Sequence, residues 1–267
     1  MQRDLQTAET IAREAGEILL RYYRGHYTVD LKNGCEPVTE ADRAANEHIV
    51  DRLREEFPED GVLAEESVAE AGSIGNRRRV WMVDPMDGTN EFINHTDEFA
   101  VMIGLVVDGR PVLGVVNQAA TGIVYRGIVG HGAECVRRGV AHPMRVDATS
   151  ELSDLRLICS RSHLPEIVER LMRDLGITEM LRSGSVGLKI GKIGTGICDL
   201  YLHPSAGTKL WDACAPEAIL HAAGGRLTDF DGRPISYDPA QVHNRRGLLA
   251  SNGVAHEALL ARLRDRF

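Results

Sequence analysis

The sequence predicts a mixed α+β / α/β protein: an antiparallel α+β half over residues 1–145, then an α/β half over residues 146–267. Three observations carry that expectation. Apolar residues recur at helical spacing near the N-terminus. Two apolar runs flank the turn-forming tetrapeptide Asp108-Gly109-Arg110-Pro111. After about residue 145 strand-like and helix-like stretches alternate.

Leu5, Ala8, Ile11 or Ala12, Ala15, Ile18 or Leu19 and Tyr22 lie three and four apart, one face of an amphipathic helix that should end near Gly25. Thr39, with Asp42 three residues on, reads as a capping box opening a second helix that turns Ala45, Ile49 and Leu53 inward before Pro58. Val80 to Val83 reads as a strand. Phe99 to Val107 and Val112 to Asn117 form an antiparallel hairpin, extended by short strands at Ile123 to Val129 and Ala133 to Arg137. In the second half the expected elements are a strand from Leu155 to Cys159, a helix from Leu164 and another from Val186 to Ile193. A strand from Cys198 to His203, a helix from Trp211 stopped by Gly224-Gly225, and a strand from Arg226 to Asp229 follow.

The chain is long enough, at 267 residues and 43% hydrophobic, to bury one large core or two moderate ones. Its net charge of −8 comes from acids and bases mixed along the chain, with no basic block to neutralise a phosphate backbone, which argues against a nucleic-acid polymer as partner. No apolar run approaches the roughly 20 residues that span a bilayer, and the N-terminus has no apolar core of a signal peptide. A cytoplasmic protein without membrane contact is expected. The five cysteines stand singly, with no CxxC, and read as reduced thiols.

The stretch from Trp81 to Asn94, WMVDPMDGTNEFIN, ends an apolar run in two aspartates. Pro85 stiffens the backbone between Asp84 and Asp87, and Gly88 permits a sharp bend into a helix starting at Thr89. Glu65-Glu66 end another apolar stretch, and neither pair has a Lys or Arg close in sequence. Oxygen ligands without paired cations suit Mg²⁺, which brings the compensating charge. Alone, DPMDG reads equally well as a surface turn, and Asp212 and Asp42 as helix caps.

Taken together, WMVDPMDGTNEF, LAEES, PVTEADRAANEHI and LWDACAPEAILHAAGG resemble the inositol monophosphatase superfamily of Mg²⁺-dependent, lithium-sensitive phosphomonoesterases, in the family's order and over essentially the whole chain. Cys159-Ser160-Arg161-Ser162-His163, Gly114 to Gln118, Asp87 to Phe92 and Lys209 to Glu217 resemble the 3′(2′),5′-bisphosphate nucleotidases within it. The resemblance implies a layered αβαβα sandwich. It implies Glu65, Asp84, Asp87, Asp212 and the Met86 carbonyl as ligands of two or three Mg²⁺ ions, with Glu66 behind them. It implies Asp42 and Thr89 as the pair that orients and deprotonates the attacking water. Two divalent ions roughly 4 Å apart polarise a phosphoryl group and stabilise the leaving oxygen, and a hydroxyl backed by a carboxylate relays the proton.

For the small phosphorylated substrate, the resemblance places Ser160 and His163 on the ribose-phosphate part. Gly88 and Lys209 complete the expected contacts, together with Ser185 and Lys189, where a helix start with free N–H groups and a cation would receive a phosphate. One departure stands out: in Lys32-Asn33-Gly34-Cys35-Glu36-Pro37, Gly34 occupies the place of an acid that helps to hold a third ion in the family. The expected reaction is hydrolysis of 3′-phosphoadenosine 5′-phosphate to AMP and phosphate. A sibling phosphatase for inositol monophosphate, fructose 1,6-bisphosphate or histidinol phosphate is the alternative, and a non-catalytic phosphate binder is disfavoured by the intact Asp42 and Thr89. The resemblance accommodates a homodimer as readily as a monomer.

Overall fold

The computed structural model describes residues 1–32, 36–68, 74–75, 77–161, 164–205 and 207–264. Its elements form five layers. Helices α1 (Gln2–Tyr23) and α2 (Glu40–Glu56) cover one face of a seven-stranded sheet. That sheet has strands β3 (Gly61–Ala64), β4 (Arg79–Asp87), β5 (Ala100–Val107), β6 (Arg110–Gln118), β7 (Ile123–Ile128), β8 (Gly132–Arg137) and β9 (Val140–Met144) in sequential order, parallel between β3 and β4 and antiparallel elsewhere. Helices α5 (Val186–Gly194) and α6 (Leu210–Ala222) pack on its other face. Beyond them lies a five-stranded sheet of β10 (Arg156–Ser160), β11 (Glu179–Ser183), β12 (Leu200–His203), β13 (Arg226–Thr228) and β14 (Leu248–Ser251), ordered β11-β10-β12-β14-β13. Residues of α4 (Glu166–Leu175) and α7 (His256–Arg264) share the core on its outer side. This is the layered αβαβα sandwich the sequence implies.

The physical reasons are local. In α1 the buried Leu5, Ala8, Ile11, Ala12, Ala15 and Leu19 form one stripe that joins the core with Ile49 and Leu53 of α2. Helix α6 carries no such stripe, because it lies between two sheets and is apolar nearly all round. Two glycines admit it. Gly104 and Gly114 face each other across β5 and β6; a Cβ on Gly114 would stand 2.1 Å from the Ala215 carbonyl oxygen, and one on Gly104 2.6 Å from Cys214 Sγ. The β5–β6 turn holds Asp108 and Gly109 at φ 50° and 74°, the paired positive angles of a tight hairpin.

Several elements lie outside the sequence expectation: a hairpin of β1 (Val29–Lys32) and β2 (Glu36–Thr39), β3, β9, β11, β14 and α7. Strand β4 also runs through Asp87 instead of ending at Val83, with a break in its pairing to β5 between Asp84 and Asp87. The four described cysteines are free and buried, as the single spacing predicts. Among the described residues no helix is long and apolar enough to cross a membrane.

One buried group in α6 sets a pH dependence of stability. Glu217 is 3% exposed and accepts a hydrogen bond from the Tyr237 hydroxyl at 2.5 Å; burial pushes its carboxyl up to about 7 from 4.5. The folded state therefore holds this proton more tightly than the unfolded chain. The stabilisation is complete below pH 4.5 and is lost as pH rises through 7. In Glu217→Gln, urea unfolding is expected to lose about 3 kcal/mol of this pH 5 to pH 8 decline relative to the parent. Parallel stability profiles for the two proteins would show that Glu217 does not titrate in this range.

Candidate active site

The end of β4, the start of α6 and the end of β3 open onto one cavity of about 300 Å³, lined among others by Glu36, Glu65, Asp84, Met86, Asp87, Gly88, Thr89, Lys209, Trp211 and Asp212. Residues from four distant stretches of chain thus meet at one point. Asp84 is 2% exposed, and Asp87 and Asp212 are partly covered. Burial, reinforced by Glu65, Asp87 and Asp212, pushes the Asp84 carboxyl well above the usual range. Burial and then Glu65 and Asp87 do the same to Asp212.

Each carboxylate is aimed by an internal donor. The Met86 N–H donates to Asp84 Oδ1 at 2.9 Å, a turn that Pro85 favours. The Lys209 N–H donates to Asp212 Oδ2 at 2.7 Å, so this acid caps α6 and faces the cavity at once. Asp87 Oδ2 accepts the Ser185 hydroxyl at 2.6 Å and the Gly187 N–H at 2.9 Å.

Asp42 and Thr89, 47 residues apart, are brought together. The Thr89 hydroxyl lies 3.3 Å from Asp42 Oδ1 and 3.4 Å from the Met86 carbonyl oxygen. Asp42 Oδ2 accepts the Thr39 N–H and hydroxyl, both at 2.7 Å, completing the capping box of α2. Burial raises the Asp42 carboxyl despite these bonds. Gly88, at φ 102°, makes the bend that turns Thr89 back toward Asp42, and a Cβ there would meet the Glu98 carbonyl oxygen at 2.9 Å.

Two arrangements differ from the sequence expectation. Glu65 and Glu66 do have a cationic partner: Lys32 of β1 pairs with Glu65 at 3.2 Å and with Glu66. Burial pulls the Lys32 ammonium down, but the two acids more than offset it. Among the described residues no three acidic, histidine or cysteine side chains already stand close enough together to hold one ion. Second, the start of α5 is committed within the protein. Its Ser185 hydroxyl and Gly187 N–H serve Asp87, the Gly184 N–H serves Glu98 at 2.8 Å, and Lys189 is 3% exposed with its Nζ 5.2 Å over the Tyr201 ring. Ser185 and Lys189 therefore shape Asp87 from behind in place of presenting a free phosphate cradle.

The donor set fits a hard divalent cation on two counts. Asp84, Asp87 and Asp212 raise one another's proton affinity or are raised by burial, as anions gathered around a missing positive charge are. Glu65 is held by a lysine, a neighbour that a divalent ion can replace.

Ser160 ends β10 and lines a second, mainly apolar cleft of about 310 Å³ beside the first. Lys209 reaches Glu36 at 3.8 Å across the cavity mouth. His163 and Gly34 lie outside the described residues. Tyr201 and His203 at the end of β12 are not anticipated by sequence reasoning; the only signal is two polar rings alternating in a short apolar strand, YLH.

Residues 1–266 match the model of the inositol monophosphatase family. The chain is 35% identical over 237 residues to a 3′(2′),5′-bisphosphate nucleotidase, CysQ, of Escherichia coli K12, covering 86% of this chain and 92% of that protein. Among solved structures, it is similar to CysQ from Bacteroides thetaiotaomicron, a bacterial member of the inositol monophosphatase family, at a TM-score of 0.79 and 30% identity, covering 94% of this chain and 98% of that one. The extragenic suppressor protein suhB of Bartonella henselae superposes at a TM-score of 0.83 and 26% identity, covering 99% and 100%.

Proposed function

Because this chain belongs to the inositol monophosphatase family, we propose that it is a Mg²⁺-dependent 3′(2′),5′-bisphosphate nucleotidase that hydrolyses 3′-phosphoadenosine 5′-phosphate to AMP and phosphate. It is a phosphatase of that superfamily; the metal and the nucleotide are the finer reading. The observation that carries it is the meeting of Asp84, Asp87, Asp212 and Glu65 with the Asp42–Thr89 pair at one cavity. The nucleotide is supported by the names of the relatives and by the polar end of β10 at Ser160.

When bound, two or three Mg²⁺ ions supply Lewis-acid polarisation of the phosphoryl group and neutralise the leaving oxygen. Asp84, Asp87, Asp212, Glu65 and the Met86 carbonyl would hold them, and Glu66 pairs with Lys32 beside Glu65. The chain's own contribution is placement and proton transfer. Thr89 donates its hydroxyl proton to Asp42, which leaves its lone pairs free to accept from a water lying in the cavity. As the water gives its proton to the Thr89 oxygen, the Thr89 proton passes to Asp42, whose carboxylate, raised by burial, becomes a neutral acid without leaving its cap on α2. Lys209 stands at the mouth, where it can neutralise the substrate's remaining anionic group. A small phosphorylated substrate reaching the site from the cytoplasm fits the buried, reduced cysteines.

The test is phosphate release from 3′-phosphoadenosine 5′-phosphate, inositol 1-phosphate and fructose 1,6-bisphosphate side by side, with Mg²⁺, with chelator and with lithium. A kcat/KM at least about a hundredfold higher for the nucleotide, about 2.7 kcal/mol of transition-state discrimination, is expected, with activity lost on chelation and reduced by lithium. Preference for the inositol or sugar phosphate would move the protein to a sibling activity.

A further inference from the structure

Two stretches of strained backbone meet at Glu98. His95 and Asp97, just before β5, stand at φ 53° and 62°, and Ser185, just before α5, stands at φ 53°. Residues other than glycine keep such angles only where their surroundings fix them. Asp97 is fixed by three bonds: its N–H donates to the Tyr23 hydroxyl at 3.1 Å, that hydroxyl donates to Asp97 Oδ1 at 2.8 Å, and Gln118 Nε2 donates to its carbonyl at 2.9 Å.

The second stretch is held by Glu98 itself. Its side chain, 14% exposed, accepts the Gly184 N–H on Oε2 at 2.8 Å and the Arg161 guanidinium on both oxygens. Arg161, the residue after β10, is tied in turn to β11: its Nη2 donates to the Arg182 carbonyl at 3.4 Å, and Arg182 Nη1 donates to the Arg161 carbonyl at 3.2 Å. The Glu98 carbonyl oxygen closes the same joint, since a Cβ on Gly184 would stand 2.6 Å from it and one on Gly88 2.9 Å. Burial pushes the Glu98 carboxyl up, but Arg161 and the Gly184 N–H more than offset it, so the group is an anion at neutral pH. Gly184 leads directly into Ser185, whose hydroxyl donates to Asp87 Oδ2 at 2.6 Å and accepts the Leu188 N–H at 3.1 Å. With the Gly187 N–H on the same Asp87 oxygen, this turn sets the orientation of that carboxylate.

We propose that Glu98, clamped by Arg161, is a positioning residue for the metal site: it holds the Gly184-Ser185 turn in the conformation that aims Asp87. Glu98 is not part of the cavity wall and reaches Asp87 through Gly184 and Ser185. The inference rests on the metal-dependent phosphatase reading and adds to it a residue outside the ligand set. Partners that orient a metal ligand carry about ten- to hundredfold of metal affinity.

The test is calorimetric Mg²⁺ titration of the whole protein, with urea unfolding and kcat against Mg²⁺ concentration on the same preparations. Glu98→Ala is expected to weaken Mg²⁺ binding about tenfold, and Arg161→Ala, at a side chain 44% exposed, about threefold, with kcat at saturating Mg²⁺ within about threefold of the parent. Glu98→Gln keeps an acceptor for the Gly184 N–H and should recover most of the affinity. Because Glu98 and Ser185 act on one carboxylate, the double variant Glu98→Ala with Ser185→Ala should bind Mg²⁺ hardly more weakly than Ser185→Ala alone, which a general loss of packing would not produce. Unchanged Mg²⁺ affinity in folded Glu98→Ala and Arg161→Ala would overturn the positioning role and leave the phosphatase reading standing, as would losses that add in the double variant. If Glu98→Ala does not fold, Arg161→Ala decides. A parent that binds no Mg²⁺ and turns over without it would overturn the metal reading itself, and the positioning role with it.

Discussion

Thr89→Ala is expected to lower kcat about a thousandfold, roughly 4 kcal/mol of transition-state stabilisation, while Mg²⁺ still binds. The hydroxyl is the only group of this side chain that reaches Asp42, at 3.3 Å, and Thr89 is partly exposed at the start of the short helix α3 (Thr89–Ile93), so its removal leaves the core intact. Asp42→Asn should cost a similar factor in rate, and about 1 kcal/mol in stability as well, because the same carboxylate closes the capping box of α2. In the proposed relay the two residues act as one unit, so the double variant should be hardly slower than either single one. Thr89→Ser should recover much of the rate. Single-turnover kinetics beside calorimetric Mg²⁺ titration checks all four proteins, and unchanged turnover in Thr89→Ala would remove the relay from the mechanism.

Gly114→Ala is expected to destabilise the fold by about 3 kcal/mol, a large loss for one methyl group. The added carbon would stand 2.1 Å from the Ala215 carbonyl oxygen, and Gly104, its partner across the hairpin, already meets the same turn of α6. The atoms that the Gly114 methyl would meet are all Ala215 backbone in a packed helix, so relief requires moving the helix away from the sheet. The same helix carries Trp211 and Asp212 at its first turn. A displaced α6 should therefore weaken Mg²⁺ binding along with stability, a joint effect that a simple loss of core packing would not produce. Urea unfolding and metal titration on one preparation read both quantities, and an unshifted urea midpoint would show that β5, β6 and α6 are not held in close contact.

Much of the site is legible in the chain because its signals are local. The Thr39–Asp42 capping box, the Asp84-Pro85-Met86-Asp87-Gly88-Thr89 turn and the apolar stripe of α1 each depend on spacings of a few residues, and the structure contains each of them. What escapes sequence reasoning lies at edges or inside. β1, β9 and β11 are mostly exposed strands whose side chains carry no period-two pattern, and β14 is a four-residue apolar run too short to be told from a buried helix turn. Ser185 shows how a local motif misleads: a serine before a helix reads as an open anion cradle, yet Asp87, 98 residues away in sequence, fills it.

By itself, then, the sequence determined which residues are candidates for the chemistry and which local turns aim them, because caps, turns and helical stripes are decided by neighbours in the chain. Only the tertiary structure decided what those residues face. The Lys32 ammonium on Glu65 and Glu66, the α5 donors on Asp87 and the closeness of Thr89 to Asp42 all join distant stretches of chain. The α5 donors reach Asp87 because α5 and α6 are layered between two sheets, and burial in that packing raises the proton affinity of Asp84 and Asp212.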